Sequence, residues 1–401
     1  MLAPDFTAEG SAILPELVAL RRDLHAMPEL GLQLPETQQR VLNALQPLGL
    51  DITLGAGLTS IVAVLHGAKP GPSVLLRGDM DALPVAEETG LDFASTNGRM
   101  HACGHDLHTA GLVGAARLLA AHRDELAGDV IFMFQPGEEG YGGAKIMIDE
   151  GLLDVNGQKP IAAYAIHVAP GPRGLFVTRS GAACAGSNQL TITVRGRGGH
   201  GSQPHQVLDP VPVAAEIVLA LQTFVTRRFN AFDPIILSVT QLKGSEAVNV
   251  IPETATLNAT VRTLSEESVA RLQEETPRLA EHIAAAHGCT AEVDFQVVYP
   301  VTINDDRTTA ETLAWLGEQF GEQRVQTMPN PGMGSEDFSF VLNEVPGTFV
   351  MLASTPPEID VATAEFNHSP RVYFDDAVLG DQAAALANLA WRKLASVAAH
   401  E

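Results

Sequence analysis

The chain has 401 residues, enough for two domains rather than one compact core. Hydrophobic residues make up 45% and charged residues 18%, a globular balance that excludes wholesale disorder. With 48 Asp+Glu against 25 Lys+Arg the formal net charge is −23; so acidic a chain has no footprint for nucleic acid or an anionic membrane surface and reads first as a soluble protein.

Ile13, Leu14, Leu17, Leu20 and Leu24 recur at helical spacing near the start, which predicts a helix there. The same stretch lacks the basic n-region and long apolar h-region of a secretory signal. No apolar run reaches the ~18 residues of a membrane span. Cys103, Cys184 and Cys289 are too few and too widely spaced for a disulfide framework, and they fit a reducing, cytoplasmic setting.

Residues 50–180 alternate between strand and helix patterns. "SVLLRGD" (73–79), "DVIFMFQPGEE" (129–139) and "IAAYAIHV" (161–168) are apolar runs that stop at polar residues, with helical stretches at 105–122 and about 142–151. That order predicts an α/β unit with a mainly parallel sheet and helices on both faces. Ligands in such sheets bind beyond the carboxyl ends of the strands, where Asp79, Glu138, Glu139 and His167 are expected. From residue 187 the pattern changes to period two ("NQLTITVRGRGGHG"), followed by a helix at about 210–229, two strands, a helix at 265–286 and a last strand, "TAEVDFQVV". This β-α-β-β-α-β order predicts a ferredoxin-like α+β lid domain over 187–299, inserted into a catalytic domain made of 1–186 and 300–401. The chain then returns to helix and strand and ends in a helix at about 375–399.

The stretch "HACGHDLH" puts three histidines, a cysteine and an aspartate into residues 101–108. A buried cysteine often only packs. Here Cys103 follows a turn and opens a helix, whose N-terminal dipole favours thiolate, and a thiolate beside the His105 imidazole suits a borderline-soft divalent ion. Glu138 and Glu139 in "QPGEEG" are adjacent carboxylates that would resist joint ionisation without a cation nearby; a solvated loop tip is the alternative. His167 lies in a buried run, where an unpartnered imidazole is costly. His368, in "EFNHSPR" before the last helix, reads on its own as a surface histidine.

Taken together, "RRDLHAMPELG", "GDMDALP", "HACGHDLHTA", "QPGEEG", "GGHGSQPH", "AVNVIPETATLNATVR" and "GSEDFSF" resemble the hippurate hydrolase and indole-acetyl-amino-acid hydrolase branch of the aminoacylase/carboxypeptidase metallohydrolases. The match runs in the family's order from about residue 15 to 395. The resemblance implies a paired-metal centre of two divalent ions, zinc or manganese with cobalt or nickel also compatible. Its five ligands would be Cys103, His105, Glu139, His167 and His368, with Glu138 as general base and Asp81 as a supporting carboxylate. His101 and His108 match no ligand. It further implies that His200 is a lid histidine steadying the oxyanion, often across a dimer interface, so that a homodimer or higher homo-oligomer forms through the lid. Asn249 and Arg262 would hold the substrate, and Gly334 lies in a glycine-rich loop beside Glu336 whose N–H groups would cradle a carboxylate. On the residues alone, a solvated turn for His200, a structural salt bridge for Arg262 and a plain turn at Gly334 stay open. His205 is not expected to act directly.

The expected activity is hydrolysis of N-acyl amino acids, small molecules of the hippurate or N-acetyl type, to a carboxylic acid and a free amino acid. A dipeptidase or carboxypeptidase with the same centre is the alternative. One thiolate and one ligand carboxylate do not neutralise two divalent cations, so the centre favours an anionic substrate. A catalytically silent binding protein would be expected to have lost the base or a ligand, and all six are present. A structural zinc module closes its ligands within a short segment, whereas these extend from Cys103 to His368.

Overall fold

Apolar runs between glycine- and proline-containing turns build an eight-stranded sheet, ordered Asp51–Leu54, Ile61–His66, Ala127–Gln135, Lys69–Asp79, Ala162–Pro172, Gly347–Thr355, Phe176–Thr178 and Val325–Thr327. The computed structural model describes residues 3–398. The chain divides into two units. The first is built from the chain up to Ala183, Ile303–Asn330 and the chain from Asp337 on; the second is Cys184–Thr302 with Pro331–Glu336.

In the first unit the four central strands, from Ala127–Gln135 to Gly347–Thr355, are parallel. Asp51–Leu54 and Ile61–His66 run antiparallel at one side. Residues from Ser73 to Asp79 are buried without alternation, as a strand covered on both faces requires, while the edge strand Asp51–Leu54 is exposed throughout. Helix His105–Ala121 packs against helices Phe6–His25 and Leu379–Ala398 and against the strand Lys69–Asp79. Gly111 and Gly114 permit that approach: a Cβ would lie 2.6 Å from the Gln382 side chain at one and 2.7 Å from Ala383 Cβ at the other. The helix is buried almost all round, which is why its sequence is apolar rather than amphipathic.

Register sets the depth of the site. Asp79 pairs with Gln135, and Arg77 with Ala165, so two residues further on Asp79 is level with His167. One expectation is corrected here. His167 is not at a strand end, because the strand continues to Pro172 on pairing with Gly347–Thr355, where Met351 faces His167.

The second unit is a four-stranded antiparallel sheet, ordered Ile236–Lys243, Thr254–Thr263, Gly186–Arg195, Thr290–Tyr299, with helices Pro210–Arg228 and Glu266–Ala286. In chain order these elements read β-α-β-β-α-β, the ferredoxin-like arrangement. Leu190, Ile192 and Val194 alternate into its core with Leu257, Ala259 and Val261. Asp209 and Ser265 cap the two helices, accepting from the N–H groups of Val211 and Ser268. Among the described residues no helix is long and apolar enough to cross a membrane.

Candidate metal centre

Cys103 and His105 sit at the entry to helix His105–Ala121, behind Gly104 at φ 86°. A Cβ at Gly104 would lie 2.3 Å from Val168 Cγ2, so only glycine lets this turn press against the strand that carries His167. Glu138 and Glu139 follow the strand Ala127–Gln135, and the Asp81 carboxylate fixes their turn by accepting from both backbone N–H groups at 3.0 Å. His368 approaches from the loop before the last helix. Its φ of 74° is the only left-handed value on a non-glycine residue among those described, a strained conformation of the kind that clusters at functional sites.

These segments converge. Within 4.8 Å of one another lie donor atoms of Cys103, His105 and His167; of Cys103, Glu139 and His368; and of His105, Glu138 and Glu139. The Cys103 sulfur belongs to the first two groups, and His105 joins the first to the third. Cys103 Sγ is 3.5 Å from His167 Nε2, and Glu139 Oε1 is 3.3 Å from His368 Nε2 and 4.0 Å from His105 Nε2. His167 Nδ1 donates to the Val168 carbonyl at 2.8 Å, which leaves the Nε2 lone pair facing the sulfur. That carbonyl anchor is the usual way of fixing a ligand tautomer.

Electrostatics separates the histidines. Burial opposes charge on His105, but Asp79, Asp81 and Cys103 outweigh it and hold the ring well above the ordinary imidazole range. Hydrogen bonding to Cys103 and Glu139 raises His368 to about 10. Burial, reinforced by His108, keeps His167 well below its usual value. Burial tends to raise Glu139, and its bond to His368 and the neighbouring His105 more than reverse this. His105 Nδ1 and Nε2 and Glu139 Oε1 are buried with no well-aligned hydrogen bond, only loose charge contacts such as His105 Nδ1–Asp81 at 3.4 Å and Glu139–His368 at 3.3 Å. Poorly paired buried polar atoms are costly, and thiolate, imidazole and carboxylate donors together suit a divalent cation of the zinc or manganese type. The residues fit the group.

Two further histidines are excluded as ligands. His108 accepts from the Val168 N–H at Nε2 (2.8 Å) and donates through Nδ1 to Asp79 (2.6 Å), so both ring nitrogens are used. Asp79 is in turn paired with Arg77 at 2.5 Å. Among the described residues His101 shares no donor group with the other candidates; it is fully buried beside Asp106 and His25, and burial first, then the neighbouring cations, lower it to about 3. One contact leaves no trace in sequence spacing: the Asn367 side chain reaches Cys103 and Val168. Its one sequence signal is adjacency to His368.

The sequence pattern of peptidase family M20/M25/M40 matches residues 75–392. The chain belongs to that family. Relatives of this M20 chain include a thermostable carboxypeptidase of Saccharolobus solfataricus, 37% identical over 90% of this chain and 91% of the relative. An N-acetyldiaminopimelate deacetylase of Bacillus cytotoxicus is 35% identical over 83% and 88%. A solved dinuclear metal-binding M20 peptidase of Bacillus subtilis superposes with a TM-score of 0.80 at 32% identity, covering 96% of this chain and 99% of that one.

The other expected site residues of this M20 chain belong to the second unit. His200 lies in a two-stranded ribbon opposite Val250, exposed, with Nδ1 accepting from Ser202. Gly201 N–H donates to the Asn249 carbonyl, so His200 and Asn249 are neighbours. Arg262 donates to Ser187 and Thr260 hydroxyls at 2.8 and 3.1 Å and has no ion pair among the described residues; burial lowers its pKa. Gly334 has open space where a Cβ would stand, and Glu336 is buried. His205 is exposed in a short turn. Burial pushes the Cys184 thiol up to about 12, which disfavours its thiolate.

Proposed function

We propose that this M20 chain is an amidohydrolase that cleaves N-acyl amino acids, of the hippurate or N-acetyl type, to a carboxylic acid and a free amino acid. The observation that carries the reading is the donor set itself: five side chains of three chemical kinds share one sulfur, with the further carboxylate of Glu138 beside them. Cys103, His105, Glu139, His167 and His368 would hold a pair of divalent ions, zinc or manganese by donor type, with cobalt or nickel also suited. Such ions, when bound, polarise the scissile carbonyl and lower the pKa of a water.

The chain's own residues do the rest. Glu138 takes the proton of the attacking water and returns it to the leaving nitrogen, which balances the hydrolysis. Asp81 holds the Glu138–Glu139 turn through its two backbone bonds, so base and ligand keep a fixed spacing. His200 serves as the oxyanion donor. Asn249, Arg262 and the Gly334 loop hold the substrate, and an arginine without a carboxylate partner is apt for a carboxylate.

The relative named as a deacetylase supports the acyl reading, whereas the carboxypeptidase relative favours a second one: cleavage of C-terminal residues or dipeptides at the same centre. Metal-loaded enzyme assayed against hippurate and N-acetyl amino acids beside a dipeptide panel decides. Turnover of acyl substrates is expected, and turnover of peptides alone overturns the first reading. Glu138→Gln should lower kcat by about 10²–10⁴-fold with the ion content unchanged.

A further inference from the structure

Three of the proposed ligands come from chain segments with no local connection: Cys103 before a helix, His167 within a strand and His368 in a loop. Their relative placement has to be fixed by something other than the ions. The backbone contributes one tie, the His368 N–H donating to the Ala102 carbonyl at 2.8 Å. His108 ties the helix to the strand through the Val168 N–H, and one further side chain reaches all three segments. Asn367 Nδ2 lies 3.3 Å from the Cys103 carbonyl oxygen, 3.6 Å from Cys103 Sγ and 3.3 Å from the Val168 carbonyl oxygen. The same Val168 oxygen accepts from His167 Nδ1 at 2.8 Å.

We propose that Asn367 is a positioning residue for the metal centre, joining the Cys103, His167 and His368 segments and donating to the Cys103 sulfur. The inference rests on the metal-ligand reading above. A carboxamide NH2 carries two hydrogens and a carbonyl oxygen two lone pairs, so one amide serves the Cys103 group and the Val168 carbonyl together, and Val168 accepts from both Asn367 and His167. The opposite end of the group, Asn367 Oδ1, is buried without a hydrogen-bond partner. The amide is therefore held by its donor end alone, and that end faces the ligands.

Aspartate is the informative replacement. It has the same shape but no N–H, and it sets a carboxylate against the sulfur and two carbonyl oxygens. Asn367→Ala removes the donor without adding charge. The experiment substitutes cobalt into wild type, Asn367→Asp and Asn367→Ala, records the thiolate-to-cobalt charge-transfer absorption, and measures affinity by competition with a chelator, with circular dichroism and Tm as controls for folding. Wild type should show the band. Both variants should shift or weaken it and bind cobalt about 10–100-fold less tightly, the usual cost of losing a partner of a ligand, with Asn367→Asp showing the larger loss. A wild-type band that persists unchanged in folded variants of unchanged affinity overturns this inference alone, even if Tm falls. A wild type with neither band nor bound metal overturns the metal reading itself.

Discussion

The proposed ligand cluster holds protons that an incoming cation would have to displace. His368, raised to about 10 by Cys103 and Glu139, carries its proton at neutral pH, and His105 is shifted in the same direction. Coordination needs neutral imidazole, so binding releases protons and affinity climbs with pH until the folded values are passed. Calorimetry in buffers of different ionisation enthalpy should show proton release at pH 7. His368→Asn should reduce it by about one proton and flatten the pH dependence of affinity. Much of this chemistry is legible from residue type alone: a cysteine and histidine opening a helix, with two adjacent glutamates after a strand, mark a cation site. The division of labour among the histidines is not legible from spacing. His105 and His108 are three positions apart on one helix, and only the third dimension puts a backbone N–H against His108 Nε2.

At the scale of elements, helix Phe6–His25 is tied to helix His105–Ala121 by buried charge. Arg21 Nε and His25 Nδ1 both lie 2.7 Å from Asp106 Oδ2, one residue after His105. Arg21 Nη1 also meets Asp376 Oδ1 at 2.9 Å, and His25 Nε2 meets Glu87 Oε1 at 3.1 Å. Burial alone would raise Asp106, yet Arg21 and His25 hold it far below the usual carboxylate range. Its contribution to stability is therefore present above the unfolded value of about 3.9 and is lost only as pH falls through the lower folded value. His25 has the opposite sign. Burial opposes its charge, Asp106 and Glu87 outweigh burial, and the folded value is raised. That contribution is complete below the unfolded value of about 6.5 and disappears as pH rises through the folded one. In denaturant titrations, the stability gap between wild type and His25→Gln should be wider at pH 6 than at pH 9. Asp106→Asn should cost about 3–5 kcal/mol, because it removes the one carboxylate oxygen that pairs both Arg21 and His25 in the interior and leaves Arg21 with Asp376 alone. Helical periodicity at 13–24 announces the helix. It does not announce that Arg21 and His25 reach a carboxylate 81 residues beyond His25, since pairing over such a distance leaves no local pattern.

For the whole molecule, the switch from continuous apolar strands to period-two strands at residue 187 marks the inserted unit, because a sheet covered on both faces and one covered on a single face have different periods. What period cannot show is which edge stays open. Among the described residues, Ile236–Lys243 ends the second unit's sheet, with one neighbour, Thr254–Thr263. It carries Ile236 and Leu242 at 44% and 49% exposure, while Leu219 on helix Pro210–Arg228 is 71% exposed. An unprotected apolar edge invites pairing, and two copies of one edge can satisfy each other about a two-fold axis. We propose that a second copy of this chain covers it. Ile236→Lys with Leu242→Lys should convert the sedimenting species from dimer to monomer, and a monomeric wild type removes the proposal. If His200 serves the partner's centre, as the resemblance implies, Glu138→Gln and His200→Ala enzymes are each nearly inactive yet recover about a quarter of wild-type activity when mixed and allowed to exchange subunits, since half the dimers are mixed and each has one complete site. No recovery after exchange would place His200 in the service of its own chain.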